Sequence, residues 1–194
     1  MTELSRPNLY LALLHYPVLG KNGETIASAV TNLDLHDIAR ASRTYGVRTF
    51  YVVTPLRDQK ELVDKIVQHW VSGAGSTYNP KRCEALALIR VKSSYEEVLT
   101  EIDREAGGSP KTVATSAKPW PKSLRFQTLR KMMANRNVPL LLNFGTAWGL
   151  TEAFIETADH VLEPLQGGTD YNHLPVRSAA AVVLDRLLRS EHTD

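Results

Sequence analysis

The segment PLLLNFGTAWGL, Pro139 to Leu150, decides how the rest of the chain is read. Three leucines and a phenylalanine give it strand character, Gly145 breaks the strand, and a helix restarts after Gly149. Two further pieces follow closely. HVLEPLQGGTDYN, His160 to Asn172, is a short strand running into a glycine pair. HLPVRSAAAVVLDRLL, His173 to Leu188, is a helix whose first turns carry almost no large side chains. Glycine-opened turns beside a closely packed alanine-rich helix make a site contacted mainly by main-chain groups. A single glycine turn is ordinary at strand ends of α/β proteins, so the weight lies on the three pieces together.

Upstream of this region strand and helix alternate. LYLALLHY, Leu9 to Tyr16, is an opening buried strand. The stretch from Pro17 to Thr31 is a loop with a tight turn at Asn22-Gly23, long enough to suggest a functional role. Thr31 or Asn32 caps a helix from Leu33 to Tyr45, with Leu35, Ile38 and Ala39 at helical spacing and Gly46 closing it. Arg48 to Thr54 is a strand, and Asp58 to Val71 an amphipathic helix with Leu62, Ile66 and Trp70 on one face. Ser72 to Arg82 is a polar, glycine-rich loop, Glu84 to Val91 a strand, and Ser93 to Glu105 a helix ended by Gly107-Gly108. A short strand, Thr112 to Ala114, leads into the stiff turn TSAKPWP. A basic helix, Ser123 to Asn135, precedes the deciding strand. The pattern predicts a single α/β domain over residues 1–194, with a mostly parallel sheet flanked by helices.

Composition narrows the class. The 194 residues are 43% hydrophobic and 23% charged, as in an ordinary globular domain. No run reaches the ~20 apolar residues of a membrane span, and MTELSRPNLY holds no signal segment, so a cytoplasmic protein is expected. One cysteine and scattered histidines offer neither a disulfide nor a metal cage; no metal is expected. Net charge is only +2, but its distribution is uneven. No acidic residue stands between Glu105 and Glu152, a stretch holding Lys111, Lys118, Lys122, Arg125, Arg130, Lys131 and Arg136. Arg40, Arg43, Arg48 and Arg57 form a second basic group. Such a face suits phosphates, or is a solvated helix face balanced elsewhere in the fold.

FGTAWGLT, the Pro-Leu step with glycines, and the run NHLPVRSAAA resemble the cofactor-binding end of the SPOUT RNA methyltransferases. DLHDIARASRTYGV, Asp34 to Val47, is similar to that family's upstream motif, in the same order along the chain. Ala147 stands where many members carry Glu, Asp34 where they carry Asn, and Pro175 and Arg177 where they carry Asn and Ser, as in a divergent branch. The resemblance implies a C-terminal deep trefoil knot, against the ordinary rule that chains do not thread loops. It implies S-adenosyl-L-methionine as cofactor, bound by Gly145, Gly149, Glu163, Pro164, Leu165, Gly167, Asn172 and Leu174, with Thr115, Ser116 and Ala117 from the loop after the preceding strand. It makes Arg40 the catalytic arginine; a group so rarely deprotonated would orient a phosphate or polarise the attacked hydroxyl. It also turns the basic residues Arg43, Lys118, Lys122, Arg125, Arg130 and Lys131 toward RNA, tRNA or rRNA, and implies a homodimer packed through the last helix.

The reaction implied is methyl transfer to RNA. The upstream motif favours the ribose 2′-hydroxyl, with a guanine ring nitrogen as the alternative. A non-catalytic RNA-binding protein that kept the fold is the reading from another class. No G-x-G-x-x-G follows the first strand, so a nucleotide-binding oxidoreductase has little support.

Overall fold

A computed structural model describes residues 6–189. In chain order the elements are β1 (Leu9–Leu14), β2 (Val18–Leu19), β3 (Thr25–Ile26), α1 (Asn32–Thr44), β4 (Phe50–Val53), α2 (Arg57–Val71), α3 (Ala74–Tyr78) and α4 (Pro80–Leu86). There follow β5 (Ile89–Lys92), α5 (Tyr95–Ala106), β6 (Lys111–Ala114), α6 (Phe126–Met133), β7 (Leu140–Gly145), α7 (Glu152–Thr157), β8 (His160–Val161) and α8 (Val176–Leu188). Six strands form one sheet in the order β5-β4-β1-β7-β6-β8, and every pair in it is parallel. The mostly parallel α/β architecture read from the sequence is the one observed.

Strand β1 shows why the sheet is covered on both sides. Leu9, Leu11 and Leu13 join a core cluster with α1, α2, α4, α6 and α8. Tyr10, Ala12 and Leu14 join a second cluster with Val98 and Ile102 of α5 and Phe154 and Ile155 of α7. All six residues are buried, as expected for a central parallel strand between two helical layers. No helix among the described residues is long and apolar enough to cross a membrane.

Local chemistry fixes the ends. Thr31 caps α1, its hydroxyl accepting from the Asp34 amide at 3.2 Å. Ser94 caps α5, and Gly107 ends it in the left-handed region at φ 71°. Three expectations need correction. Residues 72–82 are not a plain loop, because Asn79 caps α4 with Pro80 at its first position, and α3 precedes it. That start signal carries α4 to Leu86, so the expected strand from Glu84 shrinks to Ile89–Lys92. On α2 the buried residue is Val63, with Ile66, Val67 and Trp70 packed beside it, while Leu62 is turned one position out and is exposed. The long loop from Pro17 also holds order: β2 and β3 pair as a small hairpin, with Gly23 at φ 85° in its turn.

Candidate functional site

The loops leaving the C-terminal ends of β1, β7 and β6 converge, where open parallel sheets hold their ligands. Between them lies a cavity of about 1040 Å³.

The loop after β7 is its most constrained wall. A Cβ on Gly145 would lie 2.4 Å from the Leu150 amide nitrogen and 2.7 Å from the Gly149 carbonyl carbon, so only glycine fits. Ala147 takes φ 51° and Gly149 φ 100°, folding the loop back on itself. The β2–β3 hairpin holds it from outside: Trp148 N donates to Leu19 O at 3.1 Å, and Leu19 N to Gly149 O at 2.9 Å.

The opposite wall is built by residues 161–165 and the loop after β6. Residues 161–163 are held by both ends of that loop. On one side Leu162 N donates to Ala114 O at 2.9 Å; on the other Leu124 N donates to Val161 O at 2.7 Å and Glu163 N to Leu124 O at 2.9 Å. The Glu163 carboxylate accepts from the Phe126 amide at 2.7 Å, satisfying a free amide at the start of α6, which has no side-chain cap of its own. Asn172 Nδ2 donates to Ala117 O at 2.8 Å and ties the next segment to the same loop. The Leu165 amide makes no hydrogen bond among the described residues.

The third wall carries groups to which the sequence reading gave no site role. His15, at the end of β1, is fully buried. Its Nδ1 lies 3.1 Å from Ser28 Oγ, which lies 2.5 Å from Thr146 Oγ1, which donates to Leu14 O at 3.0 Å. Burial holds the His15 imidazole well below its ordinary value, at about 4, against the opposing pull of Asp34. Asp34 is also buried; its Oδ2 accepts from the Thr31 hydroxyl at 2.6 Å, and Arg177 approaches its Oδ1 to 3.6 Å. The available signal was the polar pair His15-Tyr16 closing an otherwise apolar strand.

Of the residues assigned to the cofactor by resemblance, Thr115, Ser116, Ala117, Gly145, Gly149, Glu163, Leu165, Asn172 and Leu174 line this cavity. Pro164 and Gly167 belong to the same segments but not to the wall. Among the basic residues Lys118 lines the cavity. Lys122, Arg125 and Lys131 are exposed, and Arg130 is half-buried with its guanidinium donating to Arg189 O at 3.4 Å. Arg43 pairs with Glu84 at 2.9 Å across α1 and α4. Arg40 is exposed on α1 and stands outside the wall.

A family model described as SAM-dependent RNA methyltransferase matches residues 8–189. The chain belongs to that family. It is 43% identical over 189 residues to a protein of Oleidesulfovibrio alaskensis named tRNA (guanine-N(1)-)-methyltransferase, covering 96% of this chain and 44% of that protein. A Nitratidesulfovibrio vulgaris protein of the same name is 46% identical over 93% of this chain and 42% of its own length. The chain thus spans less than half the length of these two relatives. An uncharacterized protein of Aquifex aeolicus is 37% identical and is matched over 91% of its length. Among solved structures, the SpoU methyltransferase AviRb from Streptomyces viridochromogenes in complex with AdoMet superposes with TM-score 0.57 at 18% identity, over 95% of this chain and 58% of that one. The A. aeolicus TrmH/SpoU tRNA modifying enzyme gives 0.56 at 16%, over 95% and 75%. These neighbours share the α/β fold described here.

The cavity fits the family's cofactor on structural grounds. Gly145 lets the 145–150 turn fold tightly at the wall, the Leu165 amide has no partner among the described residues, and the lining combines Gly, Ala, Ser and Thr residues with apolar side chains such as Leu150, Ile155, Leu162 and Leu165.

Proposed function

We propose that this chain transfers a methyl group from S-adenosylmethionine to RNA, with tRNA as the substrate class. The observation that carries the reading is the cavity at the ends of β1, β6 and β7, lined by nine of the residues that family resemblance assigns to the cofactor. Its volume of about 1040 Å³ lies just above the ~300–1,000 Å³ typical of ligand pockets. That leaves room for the accepting group beside a nucleoside-sized cofactor.

When bound, S-adenosylmethionine supplies an electrophilic methyl group on a sulfonium. The chain's own contribution is positioning. The tight 145–150 turn brings main-chain groups to the wall, the Leu165 amide has no partner among the described residues, and the Asn172–Ala117 bond ties the segment before α8 to the loop after β6. Lys118 and Lys21 on the wall, with the basic loop and helix after β6, give a face for the RNA backbone.

The tRNA assignment and the base as target draw support from the names of the two longer relatives. Nothing in the comparisons supports the ribose preference read from the upstream motif. A 2′-deoxy target nucleotide separates the two: it abolishes a ribose reaction and leaves a base reaction intact.

Three finer features belong to the same reading. A trefoil knot is supported by residues 161–163 pairing with both ends of the 115–123 loop, as a chain passing through that loop would. A homodimer is supported by α8, whose Ala179, Ala181 and Val182 stay partly exposed. An arginine acting on the partner subunit's site is supported by Arg40, exposed on α1, which packs beside α8. A cytoplasmic location goes with a tRNA substrate.

The test is calorimetric binding of S-adenosylmethionine together with transfer of labelled methyl groups into total tRNA and mapping of the modified nucleoside. Binding and one discrete modified position are the expected result. A chain that binds RNA but not the cofactor is a binding protein on a methyltransferase fold.

A further inference from the structure

Resting on the RNA-methyltransferase reading, we propose that the wall formed by Ser28, Asp34, Thr146 and Trp148 is the target-base subsite, and that it selects guanine. The direction of the hydrogen bonds carries this. Thr146 Oγ1 commits its only hydrogen to the Leu14 carbonyl at 3.0 Å, so in the 2.5 Å contact between the hydroxyls Ser28 is the donor. With the Ser28 hydrogen spent, the 3.1 Å contact to His15 Nδ1 has the imidazole as donor. The ring is neutral, its proton on Nδ1, and its Nε2 is buried without a partner. Every hydrogen of this chain is therefore used inside the protein. Ser28 and Thr146, both on the cavity wall, offer a ligand only lone pairs.

Asp34 extends the same chemistry. It is 7% exposed and lines the cavity, and its Oδ1 has no hydrogen-bond partner. The Arg177 guanidinium stands 3.6 Å from that oxygen, too far for a hydrogen bond. A ligand seated here must bring donors, because one without them leaves buried acceptors unpaired. Guanine presents N1–H and the N2 amino group side by side. Adenine and cytosine place a ring lone pair where guanine has N1–H, and uracil offers one donor between two carbonyls. Arg177, on the same wall and held between Asp34 and Asp37 at 3.6 and 3.5 Å, supplies donors for a carbonyl such as guanine O6.

Trp148 completes the subsite. It follows Thr146 by two residues, on the loop pinned to Leu19, and is 64% exposed on the cavity wall. An exposed indole on a fixed loop is a stacking platform for a base turned out of its helix.

Binding of GMP, IMP and AMP to the full chain, with saturating S-adenosylhomocysteine present, tests this. The wild type should hold GMP at least about tenfold more tightly than AMP, with IMP, which lacks the N2 amino group, between them. Ser28→Ala, outside the 145–150 turn that faces the cofactor, should bring GMP down to the AMP level with S-adenosylhomocysteine affinity unchanged. Thr146→Ser, which keeps the hydroxyl, should keep the preference. Trp148→Ala should weaken both nucleotides, and Trp148→Phe should restore them. Equal GMP and AMP affinity in the wild type, or measurable binding of neither, overturns the subsite. A Ser28→Ala loss that falls on S-adenosylhomocysteine also overturns it, since the wall then belongs to the cofactor. A wild type that binds no S-adenosylhomocysteine sinks the methyltransferase reading itself, and the subsite with it.

Discussion

At His15, burial turns a titratable group into a pH sensor for stability. The folded imidazole resists protonation down to about 4, whereas the unfolded chain takes the proton near its ordinary 6.5. Between those values the unfolded state binds more protons, so stability falls as pH falls. The contribution at stake is about 3 kcal/mol. Denaturant unfolding at pH 7 and pH 5 should show the wild type losing more stability than His15→Asn over that interval; parallel losses would mean other groups govern the acid limb. Gly145 makes a second prediction. A methyl group there meets the Leu150 amide at 2.4 Å, so Gly145→Ala should force the 145–150 turn open and cost about 1–3 kcal/mol. Cofactor affinity should drop at least about tenfold, the 1.4 kcal/mol step in an equilibrium constant, and calorimetry on a variant that still melts cooperatively checks it.

Elements differ in how plainly they were written in the chain. β1 and β7 were legible because a central parallel strand needs an unbroken apolar run, and Gly145 marks where the second of them ends. α1 was legible through its cap at Thr31 and its buried Leu35, Ile38 and Ala39. Residues 84–88 were misread because the apolar run EALAL suits a buried strand or a buried helical turn equally, and the deciding signal, Asn79-Pro80, lies several residues earlier. The main-chain side of the candidate site was legible as glycine and Pro-Leu motifs. Its polar wall was not: Ser28, Asp34 and Thr146 come from three separate segments and meet only once the sheet is assembled. Glu163 illustrates the gap, for its carboxylate serves α6. Glu163→Ala should therefore lower stability by about 1 kcal/mol, as loss of a helix cap does, and Glu163→Gln should recover most of it. Thermal melts of the two variants decide; equal melting of all three proteins would show that the carboxylate does not support α6.

For the whole molecule, assembly and charge are the testable properties. Sedimentation at micromolar concentration should give twice the chain mass, through an isologous two-fold contact. If Arg40 serves the partner's site, mixing Arg40→Ala and Gly145→Ala subunits should regenerate methyl transfer that neither variant has alone; no recovery after proven exchange would confine Arg40 to its own chain. RNA affinity should fall steeply with salt as lysines and arginines displace counterions. The sheet order has a further bearing, on how the chain is made. β1 lies between β4 and β7, and Leu9 pairs with Leu140. β1 therefore keeps one edge, with its unpaired N–H and C=O groups, open until β7 is made, a wait of roughly ten seconds at about 5–20 residues per second. A messenger cut short before β7 would release a chain with that edge bare, and such a product should be found in inclusion bodies or on chaperones.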